Sequence, residues 1–304
     1  MPSANLFKQA FSKDLQKNLF PENEFYKNSK DDSSFIENDQ VNLPHAGTIP
    51  GVTVDRTEKT DPTQRTDTAT YYKVHEFSTD PTLIKFSEGL IVNYNKRASI
   101  VEEQGDAINT TFADFVANEW AATTGVIQVR TSGEARPATT AAATGNRKRI
   151  TLKDVLASSK ELNKQGVPQK GRFACITPDM LEDILLIPEA QNANFNADKP
   201  LVDGSIGYWM GFKWYIRERV NIFTNAATPV IKAIDAAGAA TDNAAAIFWH
   251  KNLVRRAEGN NKAFLNLDDS VYQGDIVSAL ARGGASLARK DGKGIINLVE
   301  AAAA

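Results

Sequence analysis

The residue types that most often carry chemistry are few in this chain and widely spaced. Its three histidines, His45, His75 and His250, show no metal-ligand spacing such as two histidines four residues apart on one helix face. The sequence therefore predicts no metal site. Cys175 is the single cysteine and lies in the apolar stretch 173–176. Cysteine in such a position usually behaves as a small buried hydrophobic residue, and a nucleophilic role is the alternative.

Paired acids and glycine-rich segments give no indication of catalysis either. Glu102 and Glu103 are adjacent in sequence, as are Glu182 and Asp183, so the members of each pair point to different parts of a helix and cannot be assigned as acid and base. The glycines of residues 204–211 have the wrong spacing for a dinucleotide site. No nucleophile elbow or phosphate-binding loop is present. The sequence predicts no catalytic residue and no cofactor.

One run of consecutive cations, Arg147, Lys148 and Arg149, is the candidate for contact with nucleic acid, and a solvated rim is the alternative. The net charge of −2 is too close to neutral for a protein whose main task is to neutralise phosphates. A single cysteine excludes an intrachain disulfide and favours a reducing cytoplasm. No apolar run is long enough to span a membrane, and the first residues lack a hydrophobic signal core, so we expect a soluble, non-exported protein.

The elements that would position these residues are clearest around Cys175. The apolar run 172–176 predicts a strand. Thr177 then predicts a helix N-cap, and Pro178 suits the first helical position. Apolar residues recur at helical spacing until the helix should stop before Pro188. Thr151 likewise predicts the start of a helix, and glycine-punctuated β structure is expected at 201–216.

A long helix is predicted over residues 91–124, where apolar residues follow the 3.6-residue period and Gly105 could interrupt it. Further strands are expected at 230–234, 247–254 and 295–299.

The first 90 residues lack the clear helix and strand signals of the rest of the chain. Residues 1–44 carry too little apolar surface to fold alone, which predicts either a disordered tail or an arm that orders only against a neighbouring subunit. Residues 45–90 contain two β-like runs, the first at Val52 and Val54 and the second near residues 72–76. Legs of about 15 residues would reach about 50 Å, so such a hairpin would overhang its own domain. An ordinary surface loop with local strands is the alternative.

The order of strand, Thr177-Pro178, short helix, polar loop and glycine-punctuated strand resembles the axial domain of tailed-phage major capsid proteins of the Hong Kong 97 type. The spaced glycines of that family correspond to Gly204, Gly207, Gly211 and the following Phe212. Residues 246–259 and 271–298 are similar to its closing strands. The resemblance implies an α+β fold with these parts: an N-terminal arm (1–44), an extended β-hairpin loop (45–90), a peripheral domain with a long spine helix (91–149 and 256–292) and an axial α/β domain (150–255 and 293–304).

The resemblance also implies a function. A major capsid protein self-assembles through hexamers and pentamers into the icosahedral head shell that encloses double-stranded DNA, and it is located in the virion after assembly in the host cytoplasm. Scaffolding, portal and decoration proteins would be its partners, and it would have no cofactor and no membrane contact. The candidate contacts between subunits are Phe7, Phe11, Leu15, Arg56, Lys59 and Arg65.

Two alternatives stay open at this point. An encapsulin-type nanocompartment shell protein would have the same fold and an enzyme cargo. An intracellular hydrolase or a small-molecule binding protein using Cys175 would belong to a different class.

Overall fold

Two large β-sheets and one long helix shared between them organise the fold. The computed structural model describes residues 25–47, 51–59, 61–62, 64–85, 95–122, 124–188, 207–218 and 220–303. The helices are α1 (Asn95–Ala122), α2 (Leu152–Lys164) and α3 (Pro178–Leu185). The strands are β1 (Lys30–Asp31), β2 (Ile36–Glu37), β3 (Gln40–His45), β4 (Thr68–Lys73), β5 (His75–Ser78), β6 (Thr82–Lys85), β7 (Ile127–Arg130), β8 (Ala135–Pro137), β9 (Asn146–Lys148), β10 (Arg172–Ile176), β11 (Tyr208–Trp209), β12 (Phe212–Ile216), β13 (Asn221–Phe223), β14 (Asn243–His250), β15 (Val254–Glu258), β16 (Lys262–Asp269), β17 (Gly274–Leu287), β18 (Ile295–Val299) and β19 (Ala302–Ala303).

The first sheet is seven-stranded, in the order β11-β12-β10-β14-β18-β7, with β13 also paired to β14. Strand β14 runs antiparallel to both β10 and β18. Side chains alternate between the two faces of a strand. On β10, Ala174 and Ile176 pack with α2 and α3, whereas Phe173 and Cys175 pack with α1. The sheet is therefore the middle layer of an α/β/α sandwich.

Local sequence signals placed the helices correctly. Thr177 Oγ1 accepts a bond from Met180 N at 3.4 Å, and α3 ends at Leu185, before Pro188. Helix α2 begins after Thr151, whose backbone N donates to Asp154 Oδ2 at 2.9 Å in a capping box. Helix α1 continues through position 105 without interruption. The predicted strands at 172–176 and 295–299 are confirmed.

The hairpin of β11 and β12 shows why a glycine follows Met210. Both Met210 and Gly211 have positive φ, 52° and 83°. A two-residue type I′ turn requires positive φ at both central positions, and glycine takes this conformation at no steric cost. Gly204 lies outside the described residues.

The second sheet is built on β17, a strand of 14 residues. Strands β15 and β16 pair along one of its edges, and β5 and β6 pair along the other. Helix α1 lies on this sheet too, because Val101 and Ile108 pack against Phe77 and the small residues of β17. A Cβ at Gly283 would lie 2.1 Å from the Phe112 ring. Glycine at this position therefore permits the close approach of helix and sheet.

Of two strand predictions in the second half of the chain, the one at 230–234 was wrong and the one at 247–254 was confirmed with different bounds. At 230–234 the described residues form one isolated bridge, between Ile231 and Phe223, and Val230 is exposed rather than part of the core. At 247–254 the strand instead spans Asn243–His250, and residues 251–253 form the turn into β15.

The predicted strand at Val52 and Val54 was also wrong. Residues 51–59 form no strand, and the two valines are 91% and 82% exposed, so no described part of the chain covers their alternating pattern. The observed hairpin legs are β3 and β4, which are six residues each and pair from His45–Thr68 to Gln40–Lys73. The legs are therefore much shorter than the sequence suggested.

The segment before β3 is packed against its own chain. Phe25 and Tyr26 are buried in an aromatic cluster at the junction of α1 and β14. The Phe25 ring lies edge-on to Trp120 and Trp249, with centroids 6.0 and 5.8 Å away, and Tyr26 meets Phe112 at 5.3 Å.

Polar contacts hold the same segment in register. Trp249 Nε1 donates to Asn28 O at 3.0 Å, and β1 pairs in parallel with the outer edge of β15. Asp32 is buried and accepts from Arg255 Nη1 at 2.9 Å.

The expectation that the front of the chain is either disordered or ordered only by a neighbour is therefore wrong for residues 25–44. The apolar residues there are few, but Phe25, Tyr26, Val41 and Leu43 are all buried, and the backbone of β1 and β3 pairs with β15 and β4. Phe7, Phe11 and Leu15 lie outside the described residues. Among the helices that the structure describes, none combines the length and the apolar character needed to cross a membrane.

Candidate assembly surfaces

The loop between β3 and β4 is closed at its base and exposed beyond it. Gly47 N and Arg65 Nε both donate to Asp67 Oδ1, at 2.9 and 2.6 Å, and Arg65 Nη2 donates to Asp67 Oδ2 at 2.7 Å. Every described residue from 51 to 67 is exposed, including Arg56 and Lys59. The loop thus projects two apolar and three basic side chains that its own chain does not cover.

We predict that the Asp67 carboxyl titrates with a pKa of about 2, because its bonds to Arg65 and Gly47 stabilise the charged form. Since the pKa in the folded chain is lowered, the contribution of these bonds is complete above the ordinary value of 3.8 and is lost as the pH falls through about 2. Carboxyl-carbon NMR measures this pKa directly. Arg65→Gln should move it back towards the ordinary value, and titration of the parent chain near 4 would contradict the bonded loop base.

The predicted basic run does not form one surface. Arg147 is buried, and its Nη2 donates to the carbonyl oxygens of Asp242 and Ala240 at 2.9 and 3.2 Å. It therefore cannot reach a phosphate, which corrects its assignment to nucleic acid. Arg149 lies 3.6 Å from Asp183, and Lys148 is half-buried, so contact of these two with nucleic acid stays a prediction.

A buried ionic cluster that sequence reasoning missed lies next to this run. Arg136 Nε donates to Asp183 Oδ2 at 2.9 Å, and Arg136 Nη2 donates to Glu300 Oε1 at 2.5 Å. All three side chains are buried. Burial raises the pKa of both carboxyls, and Arg136 opposes that rise. The cluster ties β8, α3 and the end of β18 together, and nothing in the local sequence around residue 136, 183 or 300 indicates it.

The residues considered for chemistry are not brought together. Cys175 is fully buried on β10, between β12 and β14 and beneath α1, where no substrate can reach it. Asp183 is buried in the ionic cluster, whereas Glu182 is exposed. Within the part of the chain that the structure describes, no group of three or more His, Cys, Asp or Glu side chains could hold a metal ion.

The comparison with protein families decides what this subunit is. The family model described as phage capsid protein matches residues 53–300, which span both sheets and α1. The chain belongs to the phage capsid protein family. It is a structural component of the virion shell rather than an enzyme. The comparison with curated protein sequences gave no match.

Solved structures show the same fold at low sequence identity. The capsid of the cyanophage P-SCSP1u is 15% identical, with a TM-score of 0.64 over 92% of this chain and 88% of that chain. The capsid of Ralstonia phage GP4 is 9% identical, with a TM-score of 0.63 over 95% and 91%. A virus-like particle from Pyrococcus furiosus is 13% identical, with a TM-score of 0.57 over 96% and 99%. The predicted α+β fold of the Hong Kong 97 type is confirmed for this capsid protein.

Proposed function

We propose that this capsid protein assembles through hexamers and pentamers into an icosahedral head shell around double-stranded DNA. The observation that supports this proposal is the exposure of the loop 51–67. Its described residues are all exposed, although they include Val52 and Val54. We take this exposed loop, with its two uncovered valines, as a surface that a neighbouring subunit covers. Contacts between two different surfaces of like subunits close into rings when the rotation allows.

We place Arg56, Lys59 and Arg65 in the contact between neighbours, together with Phe7, Phe11 and Leu15. The division into hairpin loop, peripheral domain and axial domain is part of the same proposal, whereas residues 25–44 belong to the folded body of the subunit. Because β7 pairs with β18, we assign residues 127–130 to the axial domain rather than to the peripheral one. Scaffolding, portal and decoration proteins are the further partners, and DNA would be enclosed without sequence specificity.

The experiment is electron microscopy and light scattering of the purified full chain. Closed shells of uniform size are expected. A compact monomer at high protein concentration would overturn the proposal.

Replacing both loop valines tests whether a neighbouring subunit covers them. Val52→Asp with Val54→Asp should lower the yield of shells at least about tenfold, because a charge buried at an interface costs more than 1.4 kcal/mol. The thermal unfolding of the isolated subunit should not change. Val52→Ile with Val54→Ile keeps the apolar character and should assemble normally. Equal shell yields from the two double variants would show that the loop tip is not covered.

A second candidate function is that of a nanocompartment shell of the encapsulin type. The similarity to the virus-like particle from Pyrococcus furiosus is the reason to test it. Native particles treated with nuclease distinguish the two. Protected double-stranded DNA supports the phage head, and an enzyme cargo without DNA supports the compartment.

A further inference from the structure

One end of the first sheet gathers segments that are distant in sequence. Because β14 is antiparallel to β10 and β18, the start of β10, the end of β14 and the start of β18 lie at the same end. His250 Nε2 lies 3.0 Å from Lys170 O, and His250 N donates to Gly294 O at 3.0 Å. Gly294 N in turn donates to Gln165 Oε1 at 2.9 Å, just past the C-terminus of α2. These contacts join residues 160–171, 250–253 and 288–294 into one surface.

This surface, which we name the basic end, has a strong excess of positive charge. Its exposed cations are Lys160, Lys164, Lys170, Lys251, Arg289, Lys290 and Lys293. Glu161 and Asp291 are the acids of these three fully described segments, so seven cations stand against two acids, a net charge of +5. The chain as a whole carries −2, so the charge of the subunit is segregated. The pKa of His250 is lowered by burial and by the neighbouring cations Arg172 and Lys251.

The complementary charge lies on the first half of helix α1, over the second sheet. The exposed charged side chains of α1 between Val101 and Ala122 are all acidic. Three of them, Glu102, Glu103 and Asp106, lie within about one helical turn, and we name them the acidic face. Gln104 between them points inward and donates to Val277 O at 3.2 Å. This contact fixes the direction in which the acidic face points.

We propose that the basic end of one subunit docks on the acidic face of a second copy, an inference that rests on the proposed shell. A ring of identical subunits joins two different surfaces of the same chain, and here the two surfaces have opposite charge. Complementary potentials of this kind orient the partners and disfavour wrong contacts, because juxtaposed like charges cost several kcal/mol.

Nucleic acid is the other polyanion that the basic end could meet, and the structure favours it less. Three of the seven cations already pair with the two acids: Lys164 with Glu161 at 2.7 Å, Arg289 with Asp291 at 2.7 Å, and Lys293 with Asp291 at 3.6 Å. The net charge of the whole subunit, −2, also opposes binding to a double helix, whose contacts are dominated by its phosphates.

A charge-swap experiment on the full chain tests the pairing. Variant one is Lys170→Glu with Lys251→Glu, variant two is Glu102→Lys with Asp106→Lys, and variant three combines all four changes. Each of the first two should slow shell assembly roughly tenfold or more, and the third should recover most of the loss. The matched control, Lys153→Glu with Lys213→Glu, reverses two exposed lysines outside the basic end and should assemble like the parent.

The outcomes separate this inference from the proposed function. If the parent chain forms no shells, both fail. If the parent assembles and variant one assembles equally fast, or variant three recovers nothing, the docking alone is overturned. Normal assembly of variant one with less enclosed DNA would make nucleic acid the partner and would also overturn it. If variant one does not fold, Lys170→Gln with Lys251→Gln must weaken the salt dependence of assembly, and an unchanged salt dependence counts against the docking.

Discussion

Replacing Arg136 with methionine should lower the free energy of unfolding of the isolated subunit by about 3–5 kcal/mol, the usual cost of removing one partner from a buried ion pair. Arg136 bonds two carboxylates, Asp183 and Glu300, and both are almost inaccessible to water. The variant leaves two negative charges buried beside each other. Urea unfolding under conditions that keep the chain monomeric measures the loss.

The deficit of this variant should depend on pH in a defined direction. Burial raises the pKa of Asp183 and Glu300 above their ordinary values of 3.8 and 4.5, and loss of Arg136 raises both further. A raised pKa in the folded chain contributes stability below the ordinary value, and that contribution is lost as the pH rises through the folded-state pKa. The destabilisation should therefore be largest at neutral pH and should shrink as the pH falls towards 4.5.

Neutralising the carboxyls provides the control. Arg136→Met combined with Asp183→Asn and Glu300→Gln removes the buried charges and should recover part of the lost stability, with a weaker dependence on pH. Arg65→Met breaks an exposed pair and should change the unfolding midpoint little. A triple variant as unstable as Arg136→Met at every pH would show that packing, rather than charge, explains the loss.

Tyr26→Ala should destabilise the isolated subunit by about 3–5 kcal/mol, the range for removing a large aromatic side chain from a core. Tyr26 is fully buried, contacts Phe112 and donates its hydroxyl to Asn109 Oδ1 at 3.0 Å. This prediction distinguishes two possibilities for the N-terminal segment: it docks on its own chain, or it becomes ordered only against a neighbouring subunit. A segment ordered only by a neighbour would contribute nothing to a monomer.

Phe35→Ala is the matched control in the same segment. Phe35 is 63% exposed, so its loss should change the free energy of unfolding by less than about 0.5 kcal/mol. Equal, small effects of Tyr26→Ala and Phe35→Ala in the monomer would show that residues 25–35 do not dock on their own chain in solution.

The sequence predicted those elements whose signals are local. The apolar run 172–176, the Thr177 cap with Pro178, and the helical period of α1 each identify an element from neighbouring residues alone. The order of these elements also led to the correct family.

Features that depend on distant contacts were not predictable in this way. Alternation at Val52 and Val54 suggested a strand, but a strand also needs a partner, and none of the described residues pairs with that segment. Arg147 follows the pattern of a surface cation, yet its guanidinium binds carbonyl oxygens of a loop some 95 residues later. The Arg136 cluster joins residues separated by 47 and 164 positions.

The front of the chain gives the clearest example. Residues 1–44 contain little apolar surface, and this was a reason to expect that they need a neighbour. The family is confirmed, but that reason was wrong for residues 25–44, because a few apolar side chains suffice when each is buried against the rest of the chain.

The docking of Asn28 on Trp249 has a consequence for biosynthesis. The two residues are 221 positions apart, so the N-terminal segment emerges from the ribosome long before its binding site exists. At about 5–20 residues per second, the ribosome needs roughly 10–45 s to deliver that site. During this interval Phe25 and Tyr26 remain open to water and to other nascent chains on the same message. A chaperone that shields these two rings during translation should therefore raise the yield of native protein more than one that acts after release.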